Sequence, residues 1–217
     1  LEERLLWGSR WFAANPPWPL EQVKLFVTAD MVGRSLGNLP LPTVFCLGSE
    51  HAPQLRTVLD RVGVPGGLEV ARLGIDLIGT RSDYGPFRDR KVPFLFFSTG
   101  EHPDYHTPRD TPEKVDYPKL AAISNLVLAV LAEVADGRAD PKWTDTIVPS
   151  LDEPKALYRI TSLLMEEKRP EGLTDLQKLL ISSTQNKCRQ ILDAGKITDN
   201  DRKWLVRASG LLLFSVF

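Results

Sequence analysis

Three short stretches of the chain carry side chains that can do chemistry. Glu2-Glu3 is a pair of adjacent carboxylates, followed by Gly8-Ser9. Adjacent acids repel, so they belong either on a solvated helix start, where the helix dipole favours them, or around a cation. Thr28-Ala29-Asp30-Met31-Val32-Gly33-Arg34 places an acid directly after an apolar run. An acid there is a helix cap or a ligand at the functional edge of a sheet. Tyr105-His106-Thr107-Pro108-Arg109-Asp110-Thr111 sets an imidazole among tyrosine, threonine and aspartate. A loop histidine is usually only solvated. A metal-bound one needs its second nitrogen held by a carboxylate or carbonyl, and Asp104 or Asp110 can serve. Taken together, two or three carboxylates and one imidazole form a donor set suited to zinc or manganese. The sequence has no Gly-rich phosphate loop and no Gly-x-Ser-x-Gly elbow, the sequence signs of phosphate cradling and of a serine nucleophile.

These residues need elements to position them. Gln22 to Ala29, Thr43 to Leu47, Leu68 to Leu73 and Val92 to Ser98 read as strands, rich in Val, Leu and Phe. Leu5 to Ala14, Pro53 to Val62 and Tyr117 to Ala135 read as helices. The last carries an apolar stripe of Leu120, Ile123, Val127, Val130, Leu131 and Val134. Strands alternating with helices predict an α/β layered fold. In such sheets ligands gather at the carboxyl ends of strands, where Asp30 and the loop after Ser98 fall. The style changes after the Asp136 to Pro141 stretch. Pro154 to Glu167, Thr174 to Ala194 and Asp199 to Leu213 read as helices, with Thr198 and Asp201 placed to cap the last. The expected division is therefore 1–146 for the α/β part and 147–217 for a helical appendage.

Composition sets outer bounds. Of 217 residues, 42% are hydrophobic and 25% charged, enough for one sizeable core. The formal net charge of −1 provides no basic field for nucleic acid. No run of about 18 uninterrupted apolar residues predicts a membrane span. The two cysteines, Cys46 and Cys188, form no Cys-x-x-Cys pair and read as buried free thiols.

Four motifs in this order resemble the M28 metallopeptidases: Glu-Glu-x-x-Leu-x-Gly-Ser at 2–9, Asp-Met-x-Gly-Arg at 30–34, Ser-Asp-x-x-Pro-Phe at 82–87 and Tyr-His-Thr-x-x-Asp-Thr at 105–111. The resemblance covers 1–134. It implies that Glu2 is the general acid/base and Glu3 a ligand of one zinc. Asp30 would bind the other zinc, and His106 the same metal as Glu3. Tyr105 would support the oxyanion, and Asp83 and Phe87 would contact substrate. The implied fold is zinc-exopeptidase-like, with a mixed, mostly parallel central sheet flanked by helices and its N-terminal part missing, and the implied activity is that of a zinc-dependent aminopeptidase. Two ions about 3.5–4 Å apart would share a bridging hydroxide in the complete enzyme. The family's further ligands, a histidine and a bridging aspartate, belong upstream of the Glu-Glu pair. The stretch beginning at Leu1 is thus expected to be the C-terminal portion of a catalytic domain, inactive by itself.

The runner-up readings are a glutaminyl cyclase-like acyltransferase and a non-catalytic binding module on a peptidase fold. Tyr105, where cyclases tend to carry tryptophan, and the Asp30 to Arg34 motif favour the peptidase. His51 and His102 are expected to be non-ligands, and Tyr84 stands where several family members carry a histidine. The expected partners are peptide substrates, with no nucleic acid and no membrane span. The strands at 22–29, 43–47 and 92–98 look too apolar for open edges. A missing N-terminal segment, a second copy of the chain or, least suitably, the appendage is expected to cover them. The family's habits imply an extracytoplasmic site.

Overall fold

The computed structural model describes residues 2–166 and 173–215. A four-stranded sheet lies at its centre: β1 (Phe26–Ala29), β2 (Thr43–Leu47), β3 (Glu69–Leu73) and β4 (Phe94–Ser98), in the order β1-β4-β2-β3. β1 runs parallel to β4 and β2 parallel to β3, whereas β2 and β4 are antiparallel. The sheet is mixed and mostly parallel, as the resemblance implied. β2 and β4 are buried along their whole length. These two interior strands are accordingly continuous apolar runs rather than alternating ones.

Helices cover both faces. On one, α2 (Pro53–Val62) and α4 (Tyr117–Ala135) pack over Val44, Cys46, Leu95 and Phe97. The buried stripe of α4 keeps Ile123, Val130 and Val134 of the one expected and adds Leu126, with Leu120 and Val127 partly buried. Leu126 was not in the expected stripe, and Leu131 faces outward. By length and composition α4 is also apolar enough to cross a membrane, although polar residues interrupt the run. The short α3 (Gly85–Arg88) comes between α2 and α4 in chain order, and α1 (Trp7–Ala14) packs against it. α1 starts two residues later than expected because Leu5 and Leu6 adopt left-handed conformations.

On the other face lie α5 (Asp152–Glu166), α6 (Asp175–Asp193) and α7 (Asp199–Ser215). Their Ile160, Leu164, Ile181 and Leu212 join one core with Phe45, Leu47, Leu73 and Phe96 of the sheet. The helices given as the least suitable cover for the strands thus bury the face that Phe45, Leu47, Leu73 and Phe96 present. They do not pair with an edge, and β1 ends the sheet. The expected Thr198/Asp201 cap is present, with Asp201 N–H donating to Thr198 Oγ1 at 3.1 Å. Glu167, the expected end of α5, lies outside the described residues. Cys46 and Cys188 are buried free thiols, and burial pushes both pKa values up.

α4 is tied to the loop before β2 by a buried lysine. Lys119 Nζ donates to Arg34 O at 3.1 Å, Ser35 Oγ at 2.8 Å and Leu41 O at 2.8 Å. Burial lowers its pKa to about 8, against the opposing pull of Asp116. Above that pH the folded protein sheds a proton that the unfolded chain keeps until about 10.4. The unfolded state then binds more protons, so stability rises with pH across this window. Urea unfolding between pH 7 and 10 should show that rise, and Lys119→Met should flatten it. An unchanged slope in the variant would assign the pH dependence elsewhere.

Candidate active site

The carboxyl ends of β1 and β4 place the residues singled out from sequence. Asp30 follows β1, and its N–H donates to Phe97 O of β4 at 3.0 Å. Beyond it Met31 adopts a left-handed conformation (φ 55°), and Thr99 N–H donates to its carbonyl at 3.0 Å. The chain turns there and delivers Arg34 to the loop that follows β4. Glu2 accepts the Leu6 N–H at 2.9 Å through its carbonyl, closing the turn ahead of α1.

His106 sits in the loop after β4 with a left-handed backbone (φ 55°). Its ring stacks on Tyr105, with centroids 3.8 Å apart. His106 Nε2 lies 2.9 Å from Glu3 Oε1, joining residues 103 positions apart. Both side chains are exposed. Asp30, Glu3 and Asp83 all lie close enough to act on Glu2. Burial first, and then the negative charges of these three, raises its pKa, while His106 opposes the rise. Tyr105 is raised too, by burial and then by Glu3, Glu101, Asp30 and Glu2. Its hydroxyl stays protonated and able to donate.

The donor set was tested against zinc. A carboxylate oxygen and an imidazole nitrogen are both good zinc donors. Their 2.9 Å contact is near the separation of about 3.3 Å that two ligands at 2.0–2.1 Å take on a tetrahedral ion. The Glu3–His106 pair fits as part of a zinc site. Among the described residues no group of three or more His, Cys, Asp or Glu side chains is arranged to hold a metal. Asp30 is near in charge but does not complete a cluster with the pair.

Other assignments are altered by the structure. Phe87, expected to touch substrate, is 3% exposed and stacks on Phe26 with centroids 3.8 Å apart. It packs inside the core and supports β1 from behind. Asp83 is partly exposed and acts on Glu2 through its charge. Tyr84 is fully buried, and its hydroxyl donates to Gly79 O and accepts from Arg81 N–H. Burial pushes its pKa up to about 12. His51 stacks on Trp143, and its Nδ1 lies 3.1 Å from Thr144 O, far from this chemistry in function.

Neither Asp104 nor Asp110 is given to His106. Asp104 accepts from Arg34, Arg109 and Lys114 at 3.0, 3.0 and 2.7 Å. The hydrogen bond from Lys114, followed by those from the two arginines, holds its carboxyl well below the usual carboxylate range. Asp110 accepts from Arg34 at 3.0 Å and lies 3.6 Å from His102 Nε2. His102 is buried, and burial and then Arg34 lower its pKa, so the ring is held neutral. Arg34 is therefore the organiser of the loop that presents His106. Its motif was visible in sequence, but its partners, 70 and 76 residues away, were not.

The aminopeptidase LapA of Legionella pneumophila superposes with a TM-score of 0.50 and 22% identity, over 62% of this chain and 37% of that one. An aminopeptidase from Aneurinibacillus sp. strain AM-1 gives 0.47 and 21%, over 68% and 34%. The zinc aminopeptidase BSAP of Bacillus subtilis gives 0.48 and 19%, over 66% and 36%. The chain thus spans between 34% and 37% of the length of these structures, and the likeness to LapA is one of fold. A search of curated proteins returns no match. The profile of peptidase family M28 matches residues 1–131 of the 217, taking in Glu2, Glu3, Asp30 and Tyr105-His106 together with all four strands, and the chain belongs to that family.

Proposed function

We propose that the complete protein is a zinc-dependent aminopeptidase that removes N-terminal amino acids from peptides. The observation that carries this reading is the meeting of Glu3 with His106 beside Glu2 and Asp30. Bound zinc would acidify water and polarise the scissile carbonyl. Glu3 and His106 would hold one ion, and Asp30 would contribute to the second. Glu2, next in the chain to Glu3, is kept beside the attacking water. It takes that water's proton and passes it to the leaving amine. The Tyr105 hydroxyl donates to the oxyanion.

The test uses the full-length protein. Aminoacyl-p-nitroanilides should be hydrolysed, with activity lost to a chelator and restored by zinc. Release of ammonia from glutaminyl peptides, without free amino acids, would favour the cyclase reading instead. Residues 1–217 alone should bind zinc weakly, at one site at most. Two tight sites in a calorimetric titration of that piece would contradict the ligand assignment.

A further inference from the structure

Both loops that carry candidate ligands contain a strained residue. Met31, next after Asp30, and His106 itself have left-handed backbones at φ 55°. Residues other than glycine persist there only where the surroundings over-determine the conformation. At Met31 the carbonyl is clamped, accepting from both the N–H and the hydroxyl of Thr99 directly after β4. At His106 the clamp begins with Asp104. Its carbonyl accepts from Thr107 N–H at 3.0 Å and from Thr107 Oγ1 at 2.8 Å, closing a turn with His106 inside it.

The carboxylate of Asp104 is held from two directions. Arg109 and Lys114 belong to its own loop. Arg34 comes from the other loop, four residues after Asp30. Its side chain is 10% exposed, and Nη1 donates to Asp104 Oδ2 and Asp110 Oδ1 at 3.0 Å each. Nη2 donates to Asn38 Oδ1 at 2.9 Å. The backbone that mounts this fork is fixed as well, since Arg34 O accepts from the buried Lys119. Gly37 N–H donates to Glu101 O at 2.7 Å and Asp116 N–H to Gly33 O at 2.8 Å, so main-chain bonds flank the ion pair on the same seam. A planar guanidinium reaches several acceptors at once in a set geometry, which the point charge of a lysine does not.

We propose that Arg34 is a positioning residue for the two metal ions: by gripping Asp104 from the Asp30 side, it fixes the separation between Asp30 and the turn that presents His106. The inference rests on the aminopeptidase reading above. A purely structural ion pair would add to folding stability and leave the metal affinity of the folded protein alone. A positioning residue changes that affinity, because Asp30 and His106 stand on separate loops and reach an ion pair together only when the loops keep their spacing.

The test measures zinc affinity of the full-length protein by competition with a chromophoric chelator, beside urea unfolding of the same samples. Arg34→Met should weaken zinc binding at least about tenfold, the usual scale when a residue supporting metal ligands is removed. The variant should fold, because Asp104 keeps Arg109 and Lys114 and Asp110 is open to water. Arg34→Lys keeps the charge and loses the fork. It should fall between the two, at least about threefold weaker than the unaltered protein, and carries the test if the methionine variant does not fold. Arg109→Met removes an exposed partner of Asp104 from within its own loop and should leave zinc affinity unchanged. Unchanged affinity in folded Arg34 variants, an equal loss in Arg109→Met, or misfolding of both Arg34 variants would overturn the positioning role and leave the aminopeptidase reading standing. No tight zinc binding by the unaltered full-length protein would remove that reading and this inference with it.

Discussion

Glu2→Gln in the full-length enzyme should lower kcat at least about 10²-fold and leave metal content unchanged, the usual scale for loss of a general acid/base. Glutamine keeps the shape and the hydrogen-bonding reach of the side chain but cannot take up a proton. Glu2 is free for this task because its neighbour Glu3 is engaged with His106. Its carboxylate sits among the charges of Asp30, Glu3 and Asp83, which make proton uptake easier. His106→Ala should behave differently and lose metal, because it removes one of the two donors the structure brings together. Atomic absorption beside steady-state kinetics separates the two cases. Full turnover by Glu2→Gln, or equal metal loss in both variants, would refute the division of roles.

Arg202→Met should destabilise the fold by about 3–5 kcal/mol, the cost of breaking a buried ion pair by removing one partner. Arg202 of α7 donates to Asp76 and, at 3.1 Å, to Glu153 of α5. Glu153 Oε1 also accepts the Gly74 N–H at 2.9 Å, directly after β3. One cluster therefore pins both helices to the carboxyl end of β3. Burial works against the Arg202 charge, but hydrogen bonding to Asp76 and the charges of Glu153 and Asp76 outweigh it and raise the pKa. Glu153 is itself buried, and burial raises its pKa despite Arg202. Without the guanidinium it would be stranded in the interior. Gly74 shows how tight the cluster is, since a Cβ there would meet Glu153 Oε1 at 2.7 Å. Glu153→Gln should cost less, because Gln still accepts from Gly74 and Asp76 still holds Arg202. Urea unfolding of both variants checks the order. A loss under about 1 kcal/mol for Arg202→Met would mean that apolar packing alone holds these helices.

Periodicity and turn chemistry alone determined most of the elements. Thr43–Leu47, Pro53–Val62 and Tyr117–Ala135 are bounded as read, because each is a local pattern closed by Pro, Gly or a cap. The motifs around Glu2, Asp30 and His106 were legible for the same reason, being short and contiguous. The end of β1 shows where local reading stops. Asp30 could be seen to follow a strand, but that β1 pairs with β4 rather than β2 is a property of the sheet. That pairing brings Asp30 to the His106 loop.

Only the tertiary structure decided the rest. Arg34 recruits Asp104 and Asp110 across long separations, and no spacing rule announces such a contact. Phe87 was expected at the substrate and lies in the core instead, because aromatic residues follow buried area wherever the chain offers it. The C-terminal helices read as an appendage because their strongest patterns are internal. Their outward apolar residues Ile160 and Leu212 have meaning only against Phe45 and Phe96, from which more than 60 positions separate them. A sequence records which faces are apolar, while which faces meet, and what space is left between them, is settled when the whole chain packs.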